Sequence, residues 1–227
     1  MSVTADPPLS ERVRTGTRAD YDAAQGSCFL DALAAGRLPI QAYAELVAQH
    51  WFIYETLEQA ARAMTDDPIA GDFVFRALYR LPALSADLRF LHGADWADRI
   101  AALPSTTVYC TRMRTVAFDR PTAFVAHHYT RYLGDLTSGQ YLGPSIARAY
   151  GLNVDGHRFF VFEGVDAPAF RSRYRGLLDR LEWPRAEQDA FVAEVSRAYR
   201  LNIAVLNDLE QRWTSPAVGK RESPASG

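Results

Sequence analysis

The chain has 227 residues, 48% hydrophobic and 23% charged, which suits one large domain with its own core and excludes an intrinsically disordered chain. Its 25 basic residues stand against 27 acidic ones, and the resulting net charge of −2 disfavours a nucleic-acid binder. Two cysteines, Cys28 and Cys110, cannot build a disulfide framework, so a reducing, cytoplasmic setting is expected.

The first residues lack the basic-then-apolar pattern of a secretion signal, and no apolar run approaches the roughly 18 to 20 residues of a membrane helix. No membrane association is expected. Polar, Pro-rich ends over residues 1–8 and 214–227 are expected to be flexible around a helical domain over residues 9–213. Ser10 reads as an N-cap for a helix from Glu11 to about Leu33, which Gly36 ends. Tyr43, Leu46, Val47, His50, Tyr54, Leu57, Ala61 and Met64 fall on one face of a second helix. Shorter helices are expected over 71–79, 83–91 and 96–103, and another over 106–118. Pro121 suits the first turn of a long helix reaching Tyr150. Residues 157–165 are the one strand-like stretch. Asp166 and Pro168 open a helix through Leu181. Pro184 opens the last one, with Phe191, Val195, Ala198, Tyr199, Asn202, Leu206 and Leu209 in its stripe. Period-two alternation is nearly absent, as are glycine-rich phosphate loops, so an all-α fold follows.

The segment from His127 to Gly151 is the informative one. It combines good helix formers with Gly134, Gly139 and Gly143-Pro144. Each interior glycine costs a helix about 1 kcal/mol against alanine, and proline removes a donor, so a bend is expected. Glycines there serve either close helix packing or a flat ligand lying on the backbone.

The run from Tyr129 through Gln140, Tyr-Thr-Arg-Tyr-Leu-Gly-Asp-Leu-Thr-Ser-Gly-Gln, resembles the distal-helix signature of the heme oxygenases. Other segments extend the resemblance over residues 9 to 213: Leu9-Ser10, Thr17, Ala24, Phe29 and Ala35-Gly36-Arg37-Leu38, then Trp51 to Glu58, Phe159 to Phe162, Phe170 to Arg175 and Asn202-Ile203. The resemblance implies an all-α fold with heme sandwiched between a proximal and a kinked distal helix. It also implies cleavage of heme to biliverdin, CO and iron, with O₂ and an external electron donor such as a ferredoxin or flavoprotein reductase. By motif position Asp135 holds the distal water, Tyr54 joins its network, and Gly134 and Gly139 admit the macrocycle. Arg14, Tyr129, Arg171 and Arg175 match positions near the heme propionates. Arg171 and Arg175 are spaced to share a helix face, and guanidinium groups suit carboxylates.

Four positions depart from the family pattern. Tyr21 stands where the family carries its proximal histidine, with Gln25 in place of a glutamate. Tyrosine ligates heme iron in catalases, as phenolate, and an anionic oxygen donor favours ferric iron. Ser138 replaces a glycine, putting a hydroxyl where it would crowd the distal pocket or bond a ligand. Tyr199 stands where an apolar aromatic is usual. These departures keep a second reading open, a slow or inactive heme or bilin carrier or sensor of the same fold. A carboxylate di-iron oxidase would need Glu-x-x-His pairs, and the chain has none. Neither cysteine has a catalytic signature. His127 and His128 are about 100° apart on a helix and do not readily chelate one ion. His50, on an apolar stripe, reads as a core histidine.

Overall fold

The computed structural model describes residues 6–214. Eleven α-helices, short 3₁₀ turns and one π turn make up its regular structure, and there is no strand among the described residues. The N-terminal region holds three short helices rather than one long one: α1 (Leu9–Gly16), α2 (Arg18–Gln25) and α3 (Cys28–Ala34). The first break falls at Gly16, where an added Cβ would sit 3.0 Å from Val192. The second follows Gly26, and Ser27 then caps α3 by accepting the Leu30 N–H. Ser10 is not a cap. Its N–H and hydroxyl both donate to the Asp179 carboxylate, at 2.8 and 2.9 Å, while the helix starts one residue earlier behind Pro8.

Helix α4 (Ile40–Ala63) follows its apolar spacing and buries Tyr43, Leu46, Val47, Tyr54 and Leu57. The stretch 71–79 forms two 3₁₀ turns instead of a helix. Then come α5 (Leu81–His92), the single turn α6 (Trp96–Arg99) and α7 (Pro104–Val116). The segment from Ile100 to Leu103, expected to be helical, instead satisfies its backbone on Gln49, whose amide donates to the Ala101 carbonyl and accepts the Leu103 N–H.

The long helix expected from Pro121 to Tyr150 is interrupted as its glycines suggest. Helix α8 (Pro121–His128) runs into a π turn at Tyr129–Leu133, the chain bends over residues 136–138, and α9 (Gly139–Tyr150) resumes with Pro144 inside it. Residues 157–165 are not a strand. They form a 3₁₀ turn at Arg158–Phe160 pinned by two buried charges. The Asp87 carboxylate accepts the Arg158 and Phe159 N–H groups at 2.9 and 2.8 Å. The Arg80 guanidinium donates to the Val161 carbonyl at 2.8 Å and lies 3.9 Å over the Phe162 ring. Helix α10 (Ala167–Asp179) is capped by Asp166, and α11 (Arg185–Thr214) closes the bundle. Helices α4, α7, α8 and α11 pack together around one hydrophobic core. The N-terminal helices and the π turn after α8 pack against α11. The expected flexible ends fall mostly outside the described residues.

Candidate functional site

A cavity of about 370 Å³ opens between α2–α3, the bent segment after α8, the Phe159–Phe160 turn and α11. Tyr21, Ala24, His50, Arg131, Asp135, Phe160 and Leu206 are among its lining residues. A second cavity of about 220 Å³ adjoins it and shares Tyr21, Gly134, Thr137 and Tyr199. Its remaining wall carries Arg14, Arg18, Tyr129, Arg171 and Arg175. The two form one slot, largely apolar at one end and basic at the other. Such a slot matches a flat apolar ligand with an anionic edge.

The glycines of the bend divide in role. Gly134 has ordinary helical angles, yet a Cβ added there would meet nothing within 4 Å. The backbone is therefore bare toward the slot. Gly139 also lines the large cavity, and an atom added there would make an ordinary 3.5 Å contact with the Phe160 ring. At Gly143 it would lie 2.6 Å from the Phe160 Cβ, a close approach only glycine permits. The Ser138 hydroxyl donates to the Gly134 carbonyl at 2.9 Å, so it braces the bend.

Asp135 lines the large cavity, and its Oδ2 accepts a hydrogen bond from the Tyr54 hydroxyl. Tyr54 lines neither cavity. It lies fully buried behind the aspartate, edge-on to Tyr132 and Phe159. Burial raises the Asp135 carboxyl well above its usual range. Beside it, buried Arg131 donates to Asn202 Oδ1 at 2.6 Å and lies 5.1 Å from the Tyr54 ring centroid. Sequence reasoning assigned neither Arg131 nor Asn202 a place in the site. Their signal was polarity on helix faces that are otherwise apolar.

Across the slot, Tyr21 packs edge-on to Tyr199 with ring centroids 6.0 Å apart. Burial pushes the Tyr199 phenol up, and the nearby phenols of Tyr129 and Tyr21 add to the effect. At the basic end, Arg18 forks onto Asp22 at 2.7 and 2.8 Å, and Arg14 stands 3.7 Å from Glu11. Arg171 donates to the Leu136 carbonyl at 2.5 Å and so ties α10 to the bend. Arg175 is exposed. Burial raises the Tyr129 phenol against the pull of Arg175 and Arg14, which places both cations near it.

His127 and His128 face different partners. His127 reaches Glu194 at 3.1 Å and His128 the Tyr174 hydroxyl at 3.1 Å. Burial pushes His128 down to about 3, so both its surroundings and its titration are those of a core residue. No three His, Cys, Asp or Glu side chains gather as a metal site among the described residues. No helix among them is long and apolar enough to cross a membrane.

The heme oxygenase family model matches residues 7–208. A heme oxygenase of Nostoc sp. is 32% identical over 204 residues, covering 89% of this chain and 86% of that protein. A heme oxygenase of Takifugu rubripes is 32% identical over 226 residues, covering 96% and 82%. The crystal structure of heme oxygenase-1 from Synechocystis sp., in complex with heme, matches with a TM-score of 0.86 at 31% identity, over 91% of this chain and 94% of that one. With a match that runs through α1, α4, the bend and most of α11, the chain belongs to the heme oxygenase family.

Proposed function

We infer that this chain is a heme oxygenase that binds heme in the slot and cleaves it to biliverdin, CO and iron, using O₂ and external electrons. The observation that carries the reading is the bare helical face at Gly134 beside the hydrogen-bonded Tyr54–Asp135 pair, at the junction of an apolar and a basic cavity. The residues present fit heme: Gly134 would admit the macrocycle, and Arg14, Tyr129, Arg171 and Arg175 would hold its propionates. Bound heme supplies the iron at which O₂ is activated and the ring that is opened.

The protein's part is to hold water and protons. Tyr54 fixes Asp135 through Oδ2, leaving Oδ1 for water in the cavity. Burial favours the protonated carboxyl, so Asp135 can hold and release a proton nearer neutral pH than an exposed aspartate. Arg131 and Asn202 extend the polar wall. Tyr21, with Tyr199 packed against it, is the residue that would ligate the iron, and its phenolate would favour ferric iron. Electrons come from a ferredoxin or flavoprotein reductase, for which the exposed arginines at the slot mouth offer a complementary surface to an acidic partner. Exposed Cys28 and buried Cys110 are both free thiols, which supports a cytoplasmic setting, and the single hydrophobic core supports one helical domain over residues 9–213. Relatives named heme oxygenases along nearly the full chain weigh against the carrier reading.

The test is an optical titration with hemin, followed by a reductant under air, for the wild type, Tyr21→Phe and Asp135→Ala. Wild type binds one hemin with a ferric phenolate spectrum that Tyr21→Phe loses. Asp135→Ala keeps hemin affinity and forms bilin about a hundredfold more slowly, as loss of a general acid would dictate. Tight binding with no bilin from any donor would return the chain to the carrier reading.

A further inference from the structure

His50 does not behave as the core histidine its apolar stripe suggests. It lines the large cavity, and its Nδ1 is buried with no hydrogen-bond partner. Orphaned buried polar atoms are rare in native proteins, and each calls for a partner such as water or a ligand. Its position on the wall is well defined. His50 and Tyr54 are one turn apart on α4, and both rings pack on Phe159, at 4.7 and 5.6 Å. Tyr54 in turn bonds Asp135. His50 and Asp135 both line the large cavity, and neither lines the arginine-rich one. His50 therefore stands on the Asp135 side of the slot, away from its basic mouth.

Its surroundings favour the uncharged form. Burial, aided by the nearby Arg131 guanidinium, pushes its imidazole well below the usual range. A neutral imidazole offers one donor and one acceptor. Phe159 and Phe160 would pack as well against leucine, so the polar edge is what histidine adds.

We infer that His50 is a second polar contact, beside Asp135, for the water or small ligand held on the distal side of the heme. The inference rests on the heme reading above and makes the distal wall of this chain two-sided. The carboxyl approaches a bound ligand from the bend, and the imidazole approaches it from α4.

The experiment is an azide titration of the ferric heme complex in the wild type, His50→Leu and His50→Gln. Hemin affinity is expected to stay within about twofold in all three. The azide dissociation constant is expected to rise about three- to tenfold in His50→Leu, the worth of one hydrogen bond, and to return toward wild type in His50→Gln. If His50→Leu folds poorly, His50→Met takes its place in the same comparison. Equal azide affinity in the wild type and the apolar variant would overturn the role of His50 while leaving the heme reading intact. Absence of saturable hemin binding by the wild type would remove both.

Discussion

Replacing Gly134 by alanine separates folding from ligand binding, because the two respond with opposite sign. The residue has φ −59° and ψ −52°, angles that alanine prefers. The new methyl meets no protein atom within 4 Å. Alanine in place of a helical glycine is therefore expected to stabilise the free protein by about 0.5–1 kcal/mol, raising Tm by about 1–4 °C for a chain of this size. The same methyl enters the slot. A ligand lying against the backbone must shift or strain, at about 1–3 kcal/mol for an overpacked contact, so hemin binding should weaken about tenfold or more. Thermal denaturation of the free protein and hemin titration measure the two effects on one preparation. A stabilised variant that binds hemin as tightly as the wild type would refute the placement of the macrocycle on Gly134. A destabilised one would refute the open face itself.

Two further predictions concern neighbouring structure. Gly143→Ala drives a Cβ to 2.6 Å from the Phe160 Cβ, so it should destabilise the free protein by about 1–3 kcal/mol and displace the aromatic wall, where Gly134→Ala stabilises; chemical denaturation of the two variants side by side decides it. Burial alone would raise the Glu194 carboxyl, but hydrogen bonds from His127 and Arg112 outweigh it and bring it down to about 2 from an ordinary 4.5. A depressed carboxyl contributes stability above its unfolded value and loses it as pH falls toward the folded one. Between pH 5 and pH 3 this contribution should shrink by about 2 kcal/mol. Denaturant titrations at the two pH values should show that loss in the wild type and a correspondingly flatter response in Glu194→Gln; equal slopes would count against the ion pair as its source.

The sequence made the helical class legible, because α4 and α11 keep long apolar stripes that follow a single period. The breaks in the N-terminal region were hidden, since three short helices repeat nearly the same pattern as one long helix. What separates them is tertiary: Gly16 closes on Val192, and Ser10 leaves the cap to bind Asp179 on α10. The false strand at 157–165 has a similar cause. Its aromatic run is buried by charges far away in sequence, Asp87 and Arg80, rather than by a partner strand. Within the candidate site, Asp135, Gly134 and the basic mouth were legible from the motif and from helix spacing. His50 and Asn202 were not, because a polar residue on an apolar stripe looks the same whether it ends in the core or on a cavity wall.

The three glycines of the bent segment show why the motif alone does not define the slot. In sequence they are equivalent helix weaknesses. In the fold Gly134 and Gly139 both line the cavity, the first with open space before it and the second in ordinary contact with Phe160, while Gly143 lets Phe160 approach the helix. The wall opposite the bend is consequently an irregular turn pressed onto glycine and held from behind by the buried Asp87 carboxylate. Burial raises that carboxyl to about 6, against the pull of the Phe159 and Arg158 N–H groups. The protein thus keeps a partly destabilised acid in its interior to hold two aromatic rings at the cavity. Regular structure would not serve there. A helix would point successive side chains about 100° apart, whereas this 3₁₀ turn packs Phe159 on Tyr54 and His50 and brings Phe160 to Gly139 and Gly143. This wall of the cavity therefore combines a helix bent at glycine with a turn fixed by charge, and the residues that shape it lie on α5, α9 and the turn as much as in the motif itself.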